Sequence, residues 1–182
     1  MRVAIAFISC VLIWSTTPLS ISWSVEETSI LFASTTRMML GAVFTVVISL
    51  LLGKHFAFHR QAWVAYLASG LGIYGSMLFA YWGALYIDSG WIAILWGLSP
   101  IITGVLAHHY LGEKTLSKHR LIGAALGLLG LLVIFYKGST YSNSTGLGVV
   151  LVLIGVLAQT STAVWIKTIN AQLDGLIMSA GG

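Results

Sequence analysis

The sequence predicts an all-α integral membrane protein with six transmembrane helices. Three observations lead there. Of 182 residues, 58% are hydrophobic and 8% are charged, and the mean hydropathy is +0.94. A soluble domain carries about 25% charge, so a soluble fold of this length could not cover its surface. Disorder fails on the same count, because disordered chains are poor in apolar residues. Second, the 14 charged residues cut the chain into six apolar stretches, near 3–22, 29–52, 62–86, 89–111, 120–136 and 147–166. A bilayer core of about 30 Å needs roughly 20 helical residues to cross it. Third, the basic residues alternate between the ends of these stretches in the manner of membrane topology.

The first stretch follows Arg2 and could pass for a signal peptide, but no small-residue cleavage site follows and five more spans do. It holds Trp14, then Ser15-Thr16-Thr17-Pro18. Proline removes a backbone hydrogen bond and tends to kink a helix, and neighbouring hydroxyls can satisfy the freed carbonyl or contact a ligand. The second stretch contains Arg37, the one charge well inside a span, heading a polar stripe with Ser34, Gly41, Thr45 and Ser49. A charge at such depth costs from about 3 kcal/mol to far more in lipid, so it must face protein or water. Two roles fit it: a counter-charge for an anionic substrate group, or an anchor that pairs with Glu26, Glu27 or Asp88 or snorkels outward.

The third stretch places Ser69, Gly72, Ser76 and Gly83 on one face, and Tyr74 and Tyr81 on another. The fourth shows Ala93, Gly97, Pro100 and Gly104 on one face with Trp96 at its border. Tyr74, Tyr81 and Trp96 suit either packing or the wall of a cavity. The fifth is short, 16 uncharged residues or about 24 Å, and passes as a span if Arg120 and Lys137 snorkel. Its Gly123, Gly127 and Gly130 form a stripe expected to admit another backbone. Segment 138–146, rich in Ser, Thr, Tyr and Asn, reads as an extracytoplasmic linker and carries the sequon Asn143-Ser144-Thr145. The sixth stretch follows, with the polar pair Gln159 and Thr160, and Lys167–Ala180 begins an inner loop.

Orientation follows from Lys and Arg alone. Arg2, Lys54, Arg60, Lys114, Lys118, Arg120 and Lys167 fall on one side and Lys137 on the other. This puts the N-terminus in the cytoplasm of a multi-pass protein of the cell or inner membrane. The sixth span also resembles the first: Val156-Leu157-Ala158-Gln159-Thr160-Ser161-Thr162 sets beside Val11-Leu12-Ile13-Trp14-Ser15-Thr16-Thr17. Five spans separate the copies, an odd number, so the second enters from the opposite side. That is the inverted-topology repeat of secondary transporters. The organisation expected is one five-helix repeat over 1–137, a linker over 138–146, and the start of a second repeat over 147–182. A second repeat of equal length needs about 130 residues, so the sequence reads as a fragment.

No carboxylate lies in mid-membrane, which leaves no Asp/Glu ion relay in these spans. His55 and His59, and His108, His109 and Glu113, cluster at the inner margin without the further placed ligand a metal site needs. No phosphate loop or nucleophile motif is present, and the single Cys10 excludes a disulfide framework. The expectation is no enzyme, no cofactor, no metal and no nucleic acid, with the bilayer and a small-molecule substrate as partners. Two alternatives remain: a lipid-modifying enzyme using His108, His109 and Glu113, or a small multidrug-type antiporter, which would need a mid-membrane Glu in helix 1.

The run Trp91 to Ala107 (WIAILWGLSPIITGVLA), then Leu111-Gly112-Glu113-Lys114 and Leu121-Ile122-Gly123, resembles the EamA family of the drug/metabolite transporter superfamily. Ala84-Leu85, Arg37 and Trp14 fit the same pattern, while Ser15 stands where the family usually has glycine. The resemblance implies a ten-helix carrier of two inverted five-helix repeats with cytoplasmic termini. It also implies export of amino acids or other metabolites by alternating access, through a central cavity with contributions from helices 1, 3, 4 and 6. On that basis Trp14, Thr16, Tyr74, Trp96 and Gln159 are expected to line the cavity. Pro18 and Pro100 would act as gating kinks, and Arg37 as the buried charge.

Overall fold

The computed structural model describes residues 2–112, 118–135, 144–169 and 171–182. Glu113, Lys114, Lys137, the sequon residue Asn143 and most of the expected linker lie outside the described residues. The helices are α1 (Arg2–Glu27), α2 (Ile30–Leu51), α3 (Arg60–Gly83), α4 (Ser89–Trp96), α5 (Ser99–Leu111), α6 (Lys118–Phe135), α7 (Thr145–Ile169) and α8 (Gly175–Gly181). No strand occurs among the described residues. In lipid this is expected, since a helix satisfies its own backbone hydrogen bonds.

Among the described residues, five segments are long and apolar enough to cross a membrane: Ala4–Glu27, Ile30–Leu51, Arg60–Gly83, Ser89–Leu111 and Thr145–Ile169. α6 contains a shorter apolar stretch, Leu121–Gly130. Local chemistry sets the ends. Ser29 caps α2, its side chain accepting from the Phe32 amide at 3.3 Å, the usual duty of a serine at that position. Gly112 ends α5 at φ 65°, a left-handed conformation that glycine adopts without a Cβ penalty.

α3 is the central element. It packs against α7 above all, and also against α1, α2 and α8. The α3–α7 seam is built on small residues. A Cβ added at Gly155 would stand 2.7 Å from the Ser76 carbonyl oxygen, and one at Gly83 would stand 3.0 Å from the Gly148 carbonyl oxygen. Gly72 lies against Thr162 in the same seam. Residue numbers rise on α7 as they fall on α3, so the two helices are antiparallel. Where small residues let backbones approach, dispersion holds membrane helices together. Around this seam Tyr81, Ile87, Ile92, Leu95, Val152, Val156 and Ile21 form the buried core. Large apolar side chains such as Phe7 and Leu51 point outward, as a lipid-facing surface allows.

Four expectations change. The glycine stripe of α6 is not a packing face: Gly123, Gly127 and Gly130 have nothing within 4 Å of an added Cβ. α6 touches α4 and α5, and the close backbone approach occurs between α3 and α7 instead. The fourth span is two helices, interrupted at Gly97-Leu98. Pro100 has no N–H for the Trp96 carbonyl, and the chain there closes three-residue turns, Leu98 N to Leu95 O at 3.1 Å and Ile101 N to Leu98 O at 3.0 Å. Thr145 and Gly146, expected in the linker, already belong to α7. Finally, 175–181 is a helix and not part of a loop. Asp174 caps it and bonds Lys54 Nζ at 2.6 Å, and its far end reaches Tyr66, Ser69 and Gly70 of α3.

Candidate functional site

The polar residues of the spans meet where α1, α2 and α3 come together. Arg37 leaves α2 about 10 Å from its start, by the 1.5 Å rise per residue. One guanidinium nitrogen donates to Thr17 Oγ1 at 3.4 Å. Thr17 is 6% exposed, and its own hydroxyl hydrogen goes to the Ile13 carbonyl at 3.0 Å. The hydroxyl therefore presents a lone pair to the guanidinium. Among the described residues Arg37 forms no ion pair with Glu26 or Glu27.

Two residues back on α2, Thr35 Oγ1 and Tyr74 Oη of α3 lie 3.1 Å apart in a hydrogen bond. Arg37, Thr35 and Tyr74 line a cavity of about 730 Å³ that extends to Gly41, Gly70 and the end of α8. Arg37 also faces a second cavity of about 450 Å³ between α1 and α2, with Ser20, Ser24, Glu27 and Thr36 in its wall. The one mid-span charge thus stands between two hollows.

Further back along α1, Trp14 meets Trp96 with ring centroids 5.6 Å apart and planes tilted by 51°. Trp96 is the last residue of α4, directly before the break. Its Nε1 is buried and finds no hydrogen-bond partner among the described residues. Trp14 and Thr17 are three apart on α1, so the aromatic pair and the Arg37–Thr17 contact share one side of that helix.

The remaining predicted residues are distributed differently. Thr16 spends its hydroxyl on the Leu12 and Ile13 carbonyls at 3.3 and 3.0 Å. Pro18 is buried in an uninterrupted α1. Proline frees the carbonyl four residues earlier, that of Trp14, whereas the hydroxyls of residues 15, 16 and 17 bond those of Leu12 and Ile13. The expected hydroxyl repair at the proline therefore acts one residue or more too early. Pro100 lines a third cavity, of about 790 Å³, together with Ser99, Gly104, Ala163 and Lys167. Gln159 falls between Gly155 and Thr162 on the α3-facing side of α7 and not beside Arg37. His109 packs edge-on against Tyr110 at 5.1 Å. Sequence reasoning did not single out Thr35, and it named Thr17 only as a possible repair of the proline. A signal was available for Thr35 alone: it is a hydroxyl in the same span as Arg37, two residues before it.

The sequence profile of the EamA-like transporter family matches residues 1–136. Among curated proteins, one described as an uncharacterized transporter, YoaV of Bacillus subtilis (strain 168), is 28% identical over 184 aligned positions. The alignment covers 98% of this chain and 62% of that protein, so the chain spans less than two thirds of its relative's length. No solved structure matches. The profile covers the Trp14–Trp96 pair, Arg37 and its Thr17 partner, Tyr74 and the broken fourth span, and this multi-pass chain belongs to the EamA-like transporter family.

Proposed function

We propose that the full protein is a secondary transporter of small polar metabolites such as amino acids, working by alternating access in the export direction. The observation that supports this best is Arg37. A guanidinium in mid-span holds one long hydrogen bond, to a hydroxyl beside Pro18, and faces cavities on two sides. Lipid cannot solvate such a charge, and a guanidinium carries five donors, of which one reaches Thr17. An anionic group of a passing solute fits that geometry.

In this reading Trp14, Thr16, Tyr74, Trp96 and Gln159 form the wall of the transport cavity. Pro18 and the break at Pro100 are the flexure points, since interrupted helices are where transporters change shape. The basic residues argue for a cytoplasmic N-terminus in the cell or inner membrane. Full-length protein in liposomes, assayed by counterflow of labelled amino acids and other metabolites, tests the proposal. Saturable flux that R37M abolishes and R37K partly keeps is the expected result. Absence of saturable flux across a broad panel overturns it.

A further inference from the structure

One edge of α1 is a ladder of hydroxyls. Ser20 donates to the Thr16 carbonyl at 3.0 Å, Ser24 to the Ser20 carbonyl at 2.6 Å, and Thr28 to the Ser24 carbonyl at 2.9 Å. Each hydroxyl has a single hydrogen, and each has given it to the backbone. What these groups offer sideways is lone pairs only. Taken alone, such back-bonded hydroxyls are ordinary in a membrane helix.

Their surroundings are not ordinary. Ser20, Ser24, Thr28 and Glu27 line one side of the 450 Å³ crevice and Thr36 and Arg37 of α2 the other, with apolar side chains such as Phe32 and Leu40 making up the rest. Thr17, the partner of Arg37, lies ten residues before Glu27 on α1, about 15 Å along the axis. The crevice is therefore graded: acceptors and a negative charge towards the end of α1, donors and a positive charge at its floor. A charged side chain facing such a space in mid-membrane requires water or a ligand there.

We propose that the crevice between α1 and α2 is a water-filled recognition path in which Ser20, Ser24 and Glu27 take the donor-bearing cationic group of a solute. Arg37 at the floor takes its anionic group. The assignment of what passes rests on the carrier reading of Arg37, whereas the charge grading of the crevice stands on the geometry of α1 and α2.

Single cysteines placed at Ser24, Thr36 and the lipid-exposed Phe44 test it, in a cysteine-free background of the full-length protein. They are reacted in permeabilised membranes with a trimethylammonium-ethyl and a sulfonatoethyl methanethiosulfonate, each rate normalised to that of free cysteine. A cleft lined by one sign of charge raises the local concentration of the opposite ion by tenfold or more. The cationic reagent is thus expected to lead at S24C by about tenfold and the anionic reagent at T36C, with F44C inert. E27Q should shrink the S24C preference. Inert cysteines at both 24 and 36, or rates with no charge preference, overturn the proposal, provided each variant elutes as a folded species. Graded labelling without metabolite flux in liposomes would sink the carrier reading and leave the crevice standing. Flux without labelling would do the opposite.

Discussion

Replacing Gly155 with alanine places a Cβ 2.7 Å from the Ser76 carbonyl oxygen and 3.2 Å from the Phe79 Cβ. The oxygen belongs to the backbone of α3 and cannot swing aside. Carbon and carbonyl oxygen sit comfortably at about 3.3–3.6 Å, so α7 must retreat by roughly 0.6 Å or more. Because helices move as rods, the retreat loosens the neighbouring contacts of Gly83 with Val152 and of Gly72 with Thr162. Overpacking of this kind costs about 1–3 kcal/mol, partly offset by up to about 1 kcal/mol of helix propensity gained over glycine. Gly127→Ala on α6 supplies the control, since nothing lies within 4 Å of its added Cβ and the propensity gain is the same. The difference between the two variants therefore isolates the seam. At about 2–4 °C per kcal/mol for a chain of this size, G155A should melt roughly 2–12 °C below G127A. Intrinsic tryptophan fluorescence on heating in detergent reads this directly, with seven tryptophans as reporters. Equal melting temperatures, or a larger loss in G127A, would refute the assignment of close packing to α3–α7.

Three further outcomes follow from the same geometry. The hydrogen bond from Lys54, with that from the Leu176 amide, holds the Asp174 carboxyl below its ordinary value of 3.8. A lowered folded value means the stabilisation is present above 3.8 and is lost as pH falls through the folded value. Lys54→Met should thus raise the Asp174 midpoint in a carbon-13 NMR titration, and an unmoved midpoint would disprove the ion pair. Trp14 and Trp96 should show a coupling of about 0.5–1.5 kcal/mol in a double-mutant cycle of leucine substitutions, against zero if the rings do not touch. Pro100→Ala restores a donor for the Trp96 carbonyl, so spin labels on α4 and α5 should report a straighter, narrower distance distribution. An unchanged distribution would mean that Gly97-Leu98 breaks the span without the proline.

Much of the fold was legible because lipid makes local rules sufficient. A segment such as 30–51 must be helical once it is apolar and long enough, since no water is available to its backbone. The cap at Ser29 and the stop at Gly112 obey equally local rules, although the sequence analysis did not single them out. The site was legible in part. A charge within a span announces itself by its cost, and Trp14 and Trp96 stood out as aromatics beside small residues.

Partnership was not legible. Gly123, Gly127 and Gly130 on α6 and Gly72 and Gly83 on α3 present similar stripes, yet only those on α3 lie against another helix. Lys54 and Asp174 are 120 residues apart, and nothing near either one points to the other. Arg37 had the carboxylates of Glu26 and Glu27 on the adjoining helix and bonds Thr17. The sequence by itself therefore determined which segments are long and apolar enough to span, which end of each is basic, and that one charge lies in mid-span. Tertiary structure alone decided which small-residue face is used, what Arg37 touches and which hollows it faces. The physical reason is that spanning is set by the transfer energy of one segment at a time, whereas packing between uncharged helices depends on the shape of the facing surface, which no single segment contains.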